Sequence, residues 1–189
     1  MQTKFYPITQ NEDGVFNTKN GTLINLARPN ANKFLIKDIA NALSNICRFG
    51  GHVIEFYSVA QHSILVSYMV PPRLALEGLL HDATEAYLGD VIKPLKNMLE
   101  PYIKLEAEFG MALHKAFGLK KGFQLNEFIK SADVMALQME HEALQLGNPA
   151  LMIDFMSKNN LLIKGKHIYE PEISKLLFLA RFNDLTESI

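Results

Sequence analysis

Residues 58–72 read SVAQHSILVSYMVPP, and the reading of this stretch decides the fold. Ser58 followed three residues later by Gln61 has the form of a capping box, which satisfies the free N–H groups at a helix start. Ile64, Leu65, Val66 and Met69 then recur at helical spacing, and Pro71-Pro72 closes the run. The same pattern extends both ways. Upstream, Phe34, Ile36, Ile39, Ala40, Leu43 and Ile46 predict a helix ending near Cys47, with Gly50-Gly51 as its terminator. Downstream, a helix is expected over about 73–88, stopping at Gly89, and another from Pro94 to Phe117 with an interruption at Pro101. Further helices are expected over 126–146, ended by Gly147-Asn148-Pro149, and over 150–158 and 171–185. Before all of these, Asp13-Gly14 and Asn20-Gly21 are turn dipeptides, and 22–26 reads as one arm of a hairpin. No repeat, low-complexity segment or linker divides the chain. The expectation is an all-α, single-domain helical bundle over 1–189 with a short irregular or hairpin N-terminal segment.

Composition narrows the function. The chain has 189 residues, of which 48% are hydrophobic, enough for one well-cored domain. A net charge of −1 gives no electrostatic footprint for nucleic acid or an anionic membrane. One cysteine, Cys47, rules out an internal disulfide and fits a reducing cytoplasm. The N-terminal MQTKFYPITQNEDG lacks an apolar signal region, and no apolar run is long enough to span a membrane.

Against this background stands an ordered set of metal-ligand residue types: His62, the pair His81-Asp82, and Asp133. Imidazole nitrogens and carboxylate oxygens hold hard or borderline divalent cations such as Zn²⁺, Mn²⁺ or Co²⁺. The four lie in apolar stretches of three expected helices, His81 and Asp82 sharing one helix end. His62 has Val59, Leu65 and Val66 around it, His81-Asp82 follows Leu76, Leu79 and Leu80, and Asp133 is flanked by Ile129, Val134, Ala136 and Leu137. A buried aspartate is costly unless paired or bound to a cation, so two of them with two histidines favour shared neutralisation by a metal. On a continuous helix Glu85 would lie over the same face as His81 and Asp82, placing a carboxylate beside the cation. Asp90, past the glycine, could reach the same cleft. Read alone, Glu85 is equally a solvated helix carboxylate and Asp90 an ordinary turn residue.

The stretches ICRFGGH (46–52), YSVAQHS (57–63), GLLHDATEAYLGDVIKPLK (78–96) and SADVMAL (131–137) together resemble the HD-domain metal-dependent phosphohydrolases, whose pattern is H…HD…D across a helical bundle. The resemblance covers about 40–140, within a motif-bearing core of about 34–146. It is closer to the small nucleotidase-like branch, which includes bacterial 5′-deoxynucleotidases and phage dATP triphosphohydrolases, and closest to the latter.

The resemblance implies that His62, His81, Asp82 and Asp133 are the metal ligands, with Glu85 and Asp90 beside the reacting phosphate. It implies a substrate contact for Arg48, whose guanidinium fork suits phosphate oxygens. Arg48 also reads as a helix C-terminal cation favoured by the macrodipole. Phe49 stands where the bacterial nucleotidases often carry tryptophan, and stacks on a base or belongs to the core. His52 shares the loop with Arg48, and Lys93 and Lys96 follow the motif and could neutralise outer phosphates. His114, His141 and His167 match no pattern, and the methionines and aromatics between Met98 and Met156 read as core or an oligomer face. The expected function is metal-dependent hydrolysis of 2′-deoxyribonucleotides, dATP first, giving deoxyadenosine. A 5′-deoxynucleotidase acting on monophosphates and a non-catalytic nucleotide- or metal-binding module are the alternatives. A homo-oligomer is expected from the resemblance, with neither nucleic acid nor membrane as a partner.

Overall fold

The computed structural model describes residues 14–119 and 126–187, so Asp13 of the first turn dipeptide lies outside it. The chain opens with a two-stranded antiparallel hairpin, β1 (Val15–Asn17) and β2 (Leu23–Asn25), in the register Val15 to Asn25. Its turn is tied down by buried Asp38, which accepts from Thr18 Oγ1 at 2.8 Å and from Asn20 Nδ2 at 2.6 Å. Asp38 lies in the first turn of α1 (Ile36–Asn45), where a carboxylate also suits the helix dipole.

The centre of the molecule is α2 (Val59–Met69), buried from Val59 through Ser67. A helix covered on every side needs neighbours all round. Helix α2 contacts α1, α3 (Ala75–Leu79), α7 (Glu127–Leu144) and α9 (Pro171–Glu187). Between α3 and α7 lie α4 (Glu85–Leu88), α5 (Lys93–Lys96) and α6 (Glu100–Ala116), and α8 (Ala150–Lys158) follows α7. The fold is mostly helical with a small two-stranded sheet, and no described helix is long and apolar enough to cross a membrane.

Ser58 caps α2 as expected, accepting from Gln61 N at 3.1 Å. The Gln61 side chain does not complete the box. It turns to the 167–169 segment, donating to His167 O at 2.6 Å and accepting from Tyr169 N at 2.9 Å. Such a pairing satisfies a fully buried amide at both ends.

Three helix boundaries differ from expectation, each for a local reason. Helix α1 ends at Asn45, five residues before Gly50, because Ile46 becomes extended. The 46–59 loop then closes on itself through Arg48 N to Tyr57 O at 2.9 Å and Val59 N to Ile46 O at 3.1 Å. The helix expected over 73–88 breaks at 80–84. There the Gly78 carbonyl, which a continuous helix would give to the amide of Asp82, accepts from His81 Nδ1 at 2.8 Å. The interruption expected at Pro101 falls at 97–99, leaving Pro101 in the first turn of α6, where a missing N–H costs nothing.

Helix α3 crosses α2 closely at Gly78. A Cβ on Gly78 would lie 3.0 Å from Val70 Cγ2 and 3.2 Å from Ser67 Cα. The methionine stripe divides: Met152 and Met156 are fully buried, whereas Met98 is 81% exposed and Met111 and Met135 are both more than half exposed.

Candidate metal centre and cavity

The side chains of His62 on α2, His81 and Asp82 in the break after α3, and Asp133 on α7 converge. His62 Nε2 lies 3.3 Å from His81 Nε2, 3.5 Å from Asp82 Oδ2 and 3.2 Å from Asp133 Oδ1. His81 Nε2 lies 3.1 Å from Asp82 Oδ2 and 3.9 Å from Asp133 Oδ1. A cation about 2.1 Å from each ligand would space its ligands roughly 3.0–3.4 Å apart, close to what is found.

The hydrogen bonds behind the two imidazoles make the case stronger. Gly78 O can only accept, so His81 Nδ1 carries a proton. His62 Nδ1 lies 2.7 Å from Glu140 Oε1, and Glu140 is held ionised because Arg48 and His62 outweigh its burial. In their neutral forms both Nε2 atoms therefore turn lone pairs toward each other and toward two carboxylates. A divalent cation would satisfy such a set, and His62, His81 and Asp82 lie close enough together to hold one.

The electrostatics say the same in the language of protons. Burial pushes the His81 imidazole down, but Asp82 and Asp133 outweigh it and its pKa rises well above the usual range. His62 is pushed down by burial and Arg48 and raised on balance by Glu140 and Asp133. Asp82 and Asp133, which burial alone would raise, are driven far below the usual carboxylate range by the two imidazoles. Without a cation, protons take its place.

Beside this cluster opens a cavity of about 460 Å³, within the usual size for a small-molecule site. Of the residues expected to touch substrate, Arg48, Phe49, Glu85, Asp90, Lys93 and Lys96 all line it. His52 does not; it lines a separate open depression with Leu144 and Gln145, and its carbonyl accepts from Gln145 Nε2 at 3.0 Å. A second cavity, about 320 Å³, meets the first at Asp82, Lys96 and Asp133.

Arg48 is buried and is not a free helix-end cation. Its Nε is 3.0 Å from Glu140 Oε2, and its Nη1 is 3.8 Å from Asp82 Oδ2. Phe49 takes the left-handed backbone conformation at φ 57°, and Arg48 lies over its ring at 5.7 Å. A non-glycine residue there costs on the order of 1 kcal/mol or more, so the turn is held by its surroundings. Lys96 is half committed, with its Nζ 2.6 Å from Glu106 Oε1, whereas Lys93 is exposed.

Glu85 starts α4 instead of continuing a helix from His81, yet it faces the same cavity. Its Oε2 is buried and has no hydrogen-bond partner among the described residues. Burial first, then Asp82 and Asp90, push its pKa well above the usual carboxylate value. Asp90 is also raised, by burial and Asp82 against Arg48.

On α7 the buried stripe runs Ile129, Ala132, Ala136, Glu140 and Ala143, spaced at three and four residues. Asp133 sits at its edge with a side chain 45% exposed, and the Val134 and Leu137 expected to bury it are exposed. Glu140 sits in the stripe itself. Sequence reasoning passed over it, although the stripe spacing carried the signal.

No protein-family model matches the chain. It is 39% identical over 164 residues to the uncharacterized protein YfdR of Escherichia coli, covering 84% of this chain and 88% of that one. The chain belongs to the family of YfdR. It is also 31% identical over 185 residues to an uncharacterized protein of Rhodobacter capsulatus, covering 89% of this chain and 94% of the relative.

Proposed function

We propose that the protein is a divalent-metal-dependent phosphohydrolase of the HD type that cleaves 2′-deoxyribonucleotides at the 5′ oxygen, with dATP the first substrate. The observation that carries this reading is the pair of imidazole Nε2 atoms 3.3 Å apart, both proton-free in the neutral tautomers and faced by Asp82 and Asp133, two carboxylates that also line the cavity holding Arg48 and Glu85. His62, His81, Asp82 and Asp133 would hold the cation, which when bound supplies an acidified water and polarises a phosphoryl oxygen. Its identity among Co²⁺, Zn²⁺ and Mn²⁺ follows from loading, since this ligand set accepts all three.

The remaining residues divide the work. Arg48, braced at Nε, keeps its two Nη groups for phosphate oxygens. Lys93 and Lys96 border the same cavity and suit the outer phosphates of a triphosphate better than the single phosphate of a nucleoside monophosphate. Cleavage at the 5′ oxygen expels a sugar alkoxide, a poor leaving group that needs a proton. Glu85, whose pKa burial pushes well above the usual carboxylate value, is the group suited to carry that proton and gives it to the oxygen as the P–O bond breaks. Asp90 takes the proton of the attacking water as the new P–O bond forms. Phe49 offers a ring at the cavity wall for a base or sugar.

The test is nucleoside and phosphate release over a panel of dNTPs and dNMPs with Co²⁺, Mn²⁺, Zn²⁺ and Mg²⁺ supplied in turn. Turnover centred on dATP supports the reading. Equal turnover of all dNMPs with inert dNTPs moves the protein to a 5′-deoxynucleotidase. Silence with metal bound leaves a binding module.

A further inference from the structure

We infer that Glu140 is a positioning residue that sets the metal-facing nitrogen of His62 and the phosphate-facing edge of Arg48 at once, so that cation loading and phosphate binding are linked through one buried carboxylate. The inference rests on the proposed reading for the roles of His62 and Arg48. The geometry behind it stands alone.

Glu140 is wholly buried, with the buried Tyr57 hydroxyl beside it, and its two oxygens meet two different charged or titratable partners. Oε1 is 2.7 Å from His62 Nδ1, and Oε2 is 3.0 Å from Arg48 Nε. A carboxylate kept only to neutralise a core arginine would take the guanidinium with both oxygens, the bidentate arrangement that is strongest for this pair. Here the guanidinium receives one oxygen, at Nε. The amino groups are left toward the cavity, where Nη1 approaches Asp82. The other oxygen fixes the imidazole tautomer, and a ligand imidazole whose far nitrogen donates to a carboxylate is both oriented and more basic.

Glu140 also shares α7 with Asp133, two turns away. One rigid helix therefore supplies a ligand directly and orients a second ligand on α2. It also holds a guanidinium borne on the 46–59 loop. A shift of α7 would disturb cation and phosphate contacts together.

The substitution Glu140→Gln keeps the shape and exposes the dual role. An amide has one accepting end. If the amide oxygen faces His62, an NH₂ group faces the Arg48 Nε–H. If it faces Arg48, the amide donates to Nδ1 and the proton must move to Nε2, away from ligation.

Two measurements decide the matter. In metal-free wild-type protein at alkaline pH, ¹⁵N-edited histidine spectra should show the His62 proton on Nδ1, whatever the reaction proves to be. A proton on Nε2 overturns the inference. Calorimetric titration should then show Glu140→Gln weakening Co²⁺ binding by about 10- to 100-fold. In the same variant, inorganic phosphate binding to the Co²⁺-loaded protein should also weaken. Arg48→Ala should weaken phosphate alone. If Glu140→Gln melts at a lower temperature with unchanged Co²⁺ and phosphate affinities, Glu140 is a core ion pair and the inference fails. Failure of wild-type protein to bind Co²⁺ sinks the functional reading and the linkage, while the tautomer spectrum still reports on the Glu140–His62 bond.

Discussion

The inner and outer sides of the candidate site are built on opposite terms. On the inner side, His62, Glu140 and Arg48 are buried and held to one another: the imidazole on one Glu140 oxygen, the guanidinium on the other. On the outer side, Asp133 is 45% exposed at its side chain, Lys93 is exposed, and Glu85 keeps a buried oxygen without a partner among the described residues. The inner half resembles a protein core in which polar groups are satisfied within the fold. The outer half is left incomplete, and a buried polar group without a partner is tolerated where a ligand completes it. The difference teaches which residues support and which act.

Breaking the cation cluster should have the largest effect. His62→Ala removes a ligand that no neighbour can replace, and turnover should fall at least about 10³-fold, judged against wild-type protein at saturating Co²⁺. Retained turnover would separate the reaction from the cluster.

Glu85→Gln sharpens the comparison because function and stability should move in opposite directions. Loss of the proton donor should lower kcat about 10²-fold or more. The folded pKa of Glu85 is raised, so its ionisation costs the fold nothing below about pH 4.3 and progressively more as pH climbs toward the folded value. In metal-free protein, Glu85→Gln should therefore melt with wild type at acid pH and a few degrees higher, about 2–5 °C, at alkaline pH. A lower melting temperature at alkaline pH would mean that the carboxylate is structurally satisfied.

Gly78→Ala probes the inner side from behind. The added methyl would press on Val70 and Ser67, and the carbonyl that orients His81 belongs to the same residue. A loss of about 1–3 kcal/mol in denaturant unfolding is expected. Smallest is Lys93→Ala on the open rim: a KM for dATP a few-fold higher, a smaller effect on dAMP, and unchanged stability. Equal effects on both substrates would remove Lys93 from contact with outer phosphates.

Much of this was legible in the sequence, and the parts that were not share a cause. Helix α8 falls at Ala150–Lys158, where a helix was expected after the Gly147-Asn148-Pro149 break. The hairpin followed from its turn residues, and the convergence of His62, His81, Asp82 and Asp133 from their placement in apolar stretches. The break at 80–84 was hidden because no proline or glycine marks it; a histidine ring taking the Gly78 carbonyl does. His52 and Gln61 were misread in the same way, since their contacts are with residues about ninety and more than one hundred positions away. Glu140 escaped because a glutamate in a helix reads as solvated until the stripe through Ala136 and Ala143 is followed. Local periodicity carries the elements, whereas side chains that trade a local bond for a distant one must be seen in place.

The central claim is that His62, His81, Asp82 and Asp133 hold a divalent cation. Calorimetric titration of metal-free protein with Co²⁺, run beside His81→Ala, tests it most directly. The account predicts one tight Co²⁺ site per chain in the wild type, weakening as pH falls because protons compete for the raised imidazoles, and its loss in the variant. No saturable site, or one that His81→Ala leaves intact, would contradict it.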